Sequence, residues 1–231
     1  MQIKGFQKLT LLDYPGKLGA TVFTGGCNFR CGFCHNGSLV LNPTSIPSIS
    51  SEEVLETLKQ KKKVLEGVCI TGGEPLLQND LEEFLIALKE MGYLIKLDTN
   101  GSFPKRLKLL IDNNLVDYIA MDIKNSLEKY PLSIGIKNFD TNVIKESIEI
   151  IKSSKIDYEF RTTTVKELHS KEDFIAIGIL LQGANKLYLQ AYETSPDVIE
   201  KGLHAHTKEE MISFKEILKT YIKEVSLRGI D

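Results

Sequence analysis

Strand-length apolar runs alternate with amphipathic helical stretches from residue 18 onward, and no low-complexity linker breaks the series. That alternation constrains the fold more than any other feature. Neighbouring parallel strands need a crossover long enough to hold a helix, so it is the pattern of a parallel α/β protein. Strands are predicted at 18–24, 67–71, 93–97, 116–121, 156–161 and 187–191, with Val225-Ser226-Leu227 as a short extra one. Ser50 with Glu53 and Thr207 with Glu210 form capping-box patterns at two helix starts. Asn79 and Glu82 open a helix that runs to about Met91 before Gly92 stops it, and Pro104 suits the first turn of the next. Further helices are predicted near 141–153 and 171–181. Six strand–helix units are too few for the closed eight-stranded barrel. The expected fold is therefore α/β, an incomplete (β/α)6 TIM-like barrel over 18–228, with residues 1–17 as an N-terminal extension. With 231 residues, 42% of them hydrophobic, the chain can bury one sizeable core and reads as a single domain.

In barrels of this kind the loops after the strand C-termini build the site. Polar oddities fall there repeatedly. The first strand leads into a cysteine loop, the second into Thr71-Gly72-Gly73-Glu74-Pro75, and the third into Asp98-Thr99-Asn100-Gly101. The fourth yields Asp122-Ile123-Lys124, the fifth Arg161-Thr162-Thr163-Thr164, and the sixth Gln190.

The cysteine loop, Cys27-Asn28-Phe29-Arg30-Cys31-Gly32-Phe33-Cys34, follows the turn Gly25-Gly26. A short glycine-flanked loop can wrap one corner of a cubane iron–sulfur cluster at little loop-closure cost. Three thiols leave one iron without a protein ligand. The competing reading is a Cys3His zinc site with His35. It is weakened because the adjacent Cys34 and His35 cannot easily aim both side chains at one small ion. A disulfide is weaker still, since nothing resembling a signal peptide or membrane span points to an oxidising compartment. The fourth cysteine, Cys69, sits in the apolar run Val68-Cys69-Ile70 and reads as a packed core thiol.

Formal net charge is −2, so nothing suggests a nucleic-acid binder. The densest basic run, Lys59-Gln60-Lys61-Lys62-Lys63, closes a predicted helix where cations suit the C-terminal dipole. Apolar stretches are strand-sized, well short of the roughly 20 residues of a membrane helix. A soluble cytoplasmic protein is expected.

The Cys-x-x-x-Cys-x-x-Cys loop resembles that of the radical S-adenosylmethionine (SAM) enzymes. The fuller string from Gly26 to Asn36, together with Asp13-Tyr14-Pro15-Gly16, Met121-Asp122-Ile123-Lys124 and Arg161-Thr162-Thr163-Thr164-Val165, is similar to the glycyl-radical-enzyme activating branch. Within it, the anaerobic ribonucleoside-triphosphate reductase activating proteins are the nearest match. The resemblance covers most of the chain and implies the same partial barrel.

The resemblance also implies roles. Cys27, Cys31 and Cys34 would bind a [4Fe-4S] cluster whose open iron is chelated by SAM, and no side chain beyond cluster and SAM would be catalytic. An electron from a flavodoxin or ferredoxin would cleave SAM to methionine and a 5′-deoxyadenosyl radical, which abstracts hydrogen from a glycine of a partner enzyme. Phe33 would lie against adenine, or simply plug the loop. His35 belongs to the same cofactor-binding loop. Gly72 and Gly73 would let the ligand approach the backbone, and Glu74 would bond the SAM ammonium or orient the turn. Asp98 and Asn100 would sit near the sugar and methionine parts, Asn100-Gly101 being also an ordinary turn. Lys124 would reach the SAM carboxylate, with Asp122 fixing it or a bound cation. Arg161 would fork to a carboxylate or form an internal pair with Asp122. His204 and His206 read as surface or helix-start residues and His169 as a loop residue. Alternative functions are a pyruvate formate-lyase-type activase, a short small-molecule enzyme such as a 7-carboxy-7-deazaguanine synthase, and a zinc-stabilised interaction module.

Overall fold

A computed structural model describes residues 1–230. Eight strands form one sheet in chain order: β1 (Ile3–Thr10), β2 (Gly19–Thr24), β3 (Gly67–Gly72), β4 (Leu94–Thr99), β5 (Tyr118–Asp122), β6 (Asp157–Thr164), β7 (Lys186–Ala191) and β8 (Glu224–Arg228). From β2 to β8 every neighbour is parallel, and β1 is antiparallel to β2. The order runs from β1 to β8 without the two edges pairing, so the barrel is incomplete.

The helices are α1 (Gly37–Leu41), α2 (Ser51–Lys61), α3 (Leu81–Glu90), α4 (Pro104–Asp112), α5 (Tyr130–Ser133), α6 (Asn142–Ser153), α7 (Lys171–Leu180) and α8 (Lys208–Leu218). At α2 the Ser50 side chain accepts the Glu53 amide, and Thr207 and Glu210 complete a reciprocal capping box at α8. Asn79 and Glu82 work differently from their reading as a start signal, since α3 is preceded by Asp80 with no side-chain cap. No helix of the described residues is long and apolar enough to cross a membrane.

Two features lie outside the six-unit expectation. Residues 1–17 do not stand apart from the barrel, because Ile3–Thr10 is an edge strand of the sheet. The short stretch at 225–227 is a full parallel strand, paired to β7 from Lys186↔Glu224 to Gln190↔Arg228.

Register explains where the core lies. Side chains alternate across a strand, so residues paired in one row share a face. One set of rows is apolar: Leu97↔Ile119↔Tyr158, and Met121↔Phe160↔Leu187↔Val225. These residues join the buried helix positions Val54, Leu58, Phe84, Leu88, Leu107, Leu110, Ile144, Ile148, Phe174 and Phe214 in one continuous core. The alternate rows are polar: Thr21↔Cys69↔Lys96↔Tyr118, then Asp98↔Ala120↔Glu159, then Asp122↔Arg161↔Tyr188↔Ser226. The sheet thus has a greasy face under the helices and a charged face inside the barrel.

Candidate active site

At the C-terminal ends of the strands lies a cavity of about 270 Å³. Its walls include Cys27, Cys31, Phe33, Cys34 and His35 from the loop after β2, and Gly72 and Gly73 after β3. Asp98 and Asn100 come from the end of β4 and just past it, Asp122 from the end of β5 with Lys124 two residues beyond, and Arg161 from β6. Of the residues singled out in the sequence for cluster or SAM, only Glu74 does not line it.

The cysteine loop is held from several sides. The Gly26 amide donates to the Leu39 carbonyl at 2.8 Å, and the Arg30 amide to that of Ile134 at 2.8 Å. The segment between β7 and α8 straps across the loop: the Glu200 amide donates to the Gly32 carbonyl (2.8 Å), and the Gly37 amide to that of Asp197 (3.1 Å). His35 places Nε2 2.6 Å from the Glu193 carbonyl oxygen and stacks on Tyr192. Burial pushes the free thiols up, Cys27 to about 11 and Cys31 to about 12, with Cys34 raised for the same reason. Lys124 is the cation that counters this at all three. Cys69 does not join them. Its sulfur lies deeper in the barrel, 3.7 Å from Lys96 Nζ and 3.8 Å from Asp98 Oδ1, so Cys69 is the buried core thiol expected, placed on the polar face of β3.

Three thiols on one loop, facing one cavity, are a soft donor set suited to iron–sulfur ligation. With Cys69 engaged elsewhere, the described residues offer that cavity three thiols and two cationic side chains, Lys124 and Arg161.

Gly72 and Gly73 were expected to clear room for a ligand, but their small size is demanded by the protein itself. A Cβ on Gly73 would lie 1.9 Å from the Gly26 carbonyl oxygen. Gly72 has φ +111, with the Thr24 backbone 2.5 Å from where its Cβ would be. The close approach is sealed by Gly73 N–H to Thr24 O and Glu74 N–H to Gly26 O, both 2.8 Å, and by Asn36 Nδ2 to Gly72 O, also 2.8 Å. Asn36 is a wall residue that the sequence reading passed over as part of a motif string. Phe29, Val40, Thr71, Thr99, Thr163 and Gln190 complete the lining.

Glu74 is 1% exposed and turned away from the cavity. Its Oε1 accepts from Leu76 N–H (3.0 Å) and Thr99 Oγ1 (2.9 Å), and its Oε2 from Asn100 N–H (2.7 Å). Of the two roles considered for it, orienting the turn is the one its bonds serve. Burial pushes its carboxyl up to about 7, outweighing the three donors that pull it down. A carboxyl raised in the folded state contributes stability that is complete below its unfolded value, 4.5, and is lost as pH rises through about 7. Wild-type protein should therefore lose about 2 kcal/mol relative to Glu74→Gln between pH 4.5 and 7. Urea midpoints across that range check this, and a constant difference between the two proteins would exclude it.

From the cavity lining down into the barrel runs a ladder of alternating charge. Lys124 Nζ sits 3.0 Å from Asp122 Oδ2, and Arg161 Nε lies 2.9 Å from Asp122 Oδ1. Arg161 Nη1 is 3.0 Å from Asp98 Oδ2, and Asp98 pairs in turn with Lys96. Burial would raise the Asp122 carboxyl, but Arg161 and Lys124 hold it down at about 2, and Arg161 and Lys96 lower Asp98 likewise. Lys124, Arg161, Asp98 and Asp122 line the cavity and balance in charge, while Lys96, the third cation, is buried beneath Asp98. The internal pair considered for Arg161 exists, and extends to a second carboxylate. Asn100 accepts Ser102 N–H (2.9 Å) at Oδ1 and donates to Asn28 Oδ1 (2.9 Å), acting both as a turn residue and as a tie to the cysteine loop. Phe33 is buried under Lys124, whose Nζ is 5.9 Å from the ring centroid. His204 is exposed against Glu167, while His206 at the entry to α8 and the loop residue His169 are buried.

Comparison with known proteins agrees with this geometry. Residues 21–177 match the radical SAM superfamily. A Methanocaldococcus jannaschii protein provisionally named a glycyl-radical enzyme activating enzyme is 31% identical over 235 residues, covering 99% of this chain and 96% of the relative. A 7-carboxy-7-deazaguanine synthase of Thermoplasma acidophilum is 30% identical over 64% of this chain and 66% of its own. Streptococcus suis SuiB, in its structure bound to S-adenosylmethionine, superposes with a TM-score of 0.66 at 17% identity, over 88% of this chain and 48% of SuiB. The chain thus spans about half the length of that solved structure. Radical SAM enzymes use a [4Fe-4S] cluster and SAM, and the fold, the three-thiol loop and the near-full-length match together assign the chain to the radical SAM superfamily, in the branch of the glycyl-radical enzyme activating enzymes.

Proposed function

We propose that this chain activates a glycyl-radical enzyme, an anaerobic ribonucleoside-triphosphate reductase, with a flavodoxin or ferredoxin as electron donor. One observation carries the reading: three thiols line the same cavity as the Lys124–Asp122–Arg161–Asp98 charge ladder, whose Lys124 ammonium can meet a carboxylate there. Cys27, Cys31 and Cys34 would hold the cluster. Bound there with SAM, it supplies the reductive cleavage that yields the hydrogen-abstracting radical. Lys124 neutralises the SAM carboxylate, Asp122 and Arg161 fix Lys124, and Asp98 anchors Arg161. Phe33, His35, Asn100 and the backbone of Gly72 and Gly73 shape the remaining walls. The unpaired edges of the incomplete barrel leave a side opening through which a partner's glycine loop could enter.

The Thermoplasma relative supports a second reading, a small-molecule enzyme of the 7-carboxy-7-deazaguanine synthase kind. Anaerobically reconstituted protein, reduced with SAM and the candidate reductase, should give 5′-deoxyadenosine and a glycine-centred doublet by electron paramagnetic resonance. 5′-Deoxyadenosine without a doublet on that reductase or on pyruvate formate-lyase would favour the second reading, and no 5′-deoxyadenosine at all would overturn both.

A further inference from the structure

His169 lies in the turn between β6 and α7, 2% exposed, with both ring nitrogens in use. Nε2 is 3.0 Å from the Lys124 carbonyl oxygen, and Nδ1 is 3.1 Å from the Val165 amide nitrogen. Nδ1 also lies 3.2 Å from the Val165 carbonyl oxygen, but only a proton on Nε2 lets the neutral ring satisfy both the Lys124 carbonyl and the Val165 N–H, so Nε2 donates and Nδ1 accepts. Burial keeps the imidazole below its usual pKa, which favours that neutral form.

What the Nε2–H bond holds is the direction of Lys124. β5 ends at Asp122, and its last backbone tie to β6 is Ile123 N–H to Arg161 O at 2.8 Å. Lys124 is therefore beyond the reach of the sheet ladder. It is fixed at its side chain by Asp122 and at its carbonyl by His169, 45 residues away in sequence. The imidazole is itself rigid: it stacks on Phe174 at 5.6 Å, and Phe174 stacks on Phe214 at 4.1 Å. Asn125 Nδ2 donates to the Leu168 carbonyl (3.0 Å) and Ser126 Oγ to Asp173 (2.9 Å), fastening the same turn to the residues that follow Lys124.

We propose that His169 is a positioning residue which, through the Lys124 carbonyl, sets how the Lys124 ammonium enters the cavity and so governs affinity for the carboxylate of SAM. This rests on the reading of Lys124 given above.

Two substitutions separate the two arms of the ring. Glutamine keeps a donor near the place of Nε2, and asparagine keeps an acceptor only near that of Nδ1. SAM affinity is measured by equilibrium dialysis on cluster-reconstituted protein, with iron content and thermal midpoint recorded for each variant. His169→Gln should bind SAM within about threefold of wild type and His169→Asn about tenfold more weakly. Lys124→Ala should lose at least as much, and Lys124→Ala with His169→Asn no more than Lys124→Ala alone. Should His169→Asn fail to fold, His169→Met fills the same niche without a donor and carries the same expected loss. Equal affinities for the glutamine and asparagine variants, or additive losses in the double variant, would overturn the inference alone. If Lys124→Ala binds SAM as wild type does, the reading of Lys124 falls and this inference with it.

Discussion

Cys31→Ala is expected to yield a folded protein that takes up no stable cluster, while Cys69→Ala takes up its full complement of about four irons per chain. The two thiols are almost equally buried, so exposure does not separate them. Surroundings do. Cys31 sits mid-loop between Cys27 and Cys34 on the cavity wall, with Lys124 the cation that acts on all three. Burial holds the empty thiol at about 12, so it is neutral until a metal displaces the proton, and an alanine there leaves two ligands for a cluster that needs three. Cys69 instead contacts Lys96 and Asp98 below the cavity. Its loss costs packing, about 1–2 kcal/mol or less, without touching a ligand. Iron and sulfide analysis after anaerobic reconstitution, with the visible charge-transfer absorbance, distinguishes the two. Equal iron loss in both would refute the division.

What was legible in the sequence is what local pattern encodes. Apolar runs such as Val68-Cys69-Ile70 and Ile119-Ala120-Met121 mark the strands because half of each run packs under helices, and the loops after them carry the site because a barrel gathers strand ends at one rim. β1 was missed for the opposite reason. Ile3-Lys4-Gly5-Phe6-Gln7-Lys8 alternates imperfectly, and as an edge strand it is stabilised by pairing with β2 rather than by an apolar run of its own. α1 and α5, at five and four residues, are too short to show a period. The role of Glu74 was open because a carboxylate serves an ammonium or three N–H and O–H donors equally well. Which of them faces it is decided by where β4 places Thr99 and Asn100. His169 carried no local signal either, since its partner lies 45 residues away.

Gly73→Ala is expected to cost about 3–4 kcal/mol and to lower cluster uptake with it, although Gly73 carries no side chain to lose. The added methyl would fall 1.9 Å from the Gly26 carbonyl oxygen, and a backbone carbonyl fixed at both ends cannot rotate away as a side chain would. Relief requires the turn after β3 to part from the residue preceding Cys27. That parting breaks Gly73 N–H to Thr24 O and Glu74 N–H to Gly26 O, and pulls Gly72 from Asn36. The loss therefore lands on the loop that holds all three cysteines. Gly26→Ala is the control. Gly26 has φ +87 but nothing within 4 Å of its Cβ position, so the change brings left-handed backbone strain of about 1–2 kcal/mol and no collision. If a ligand alone required Gly73 to be small, Gly73→Ala would weaken SAM binding but leave the denaturant midpoint of the cluster-free protein at the wild-type value. Because the collision is internal, the midpoint should fall before any cofactor is added, and further than in Gly26→Ala.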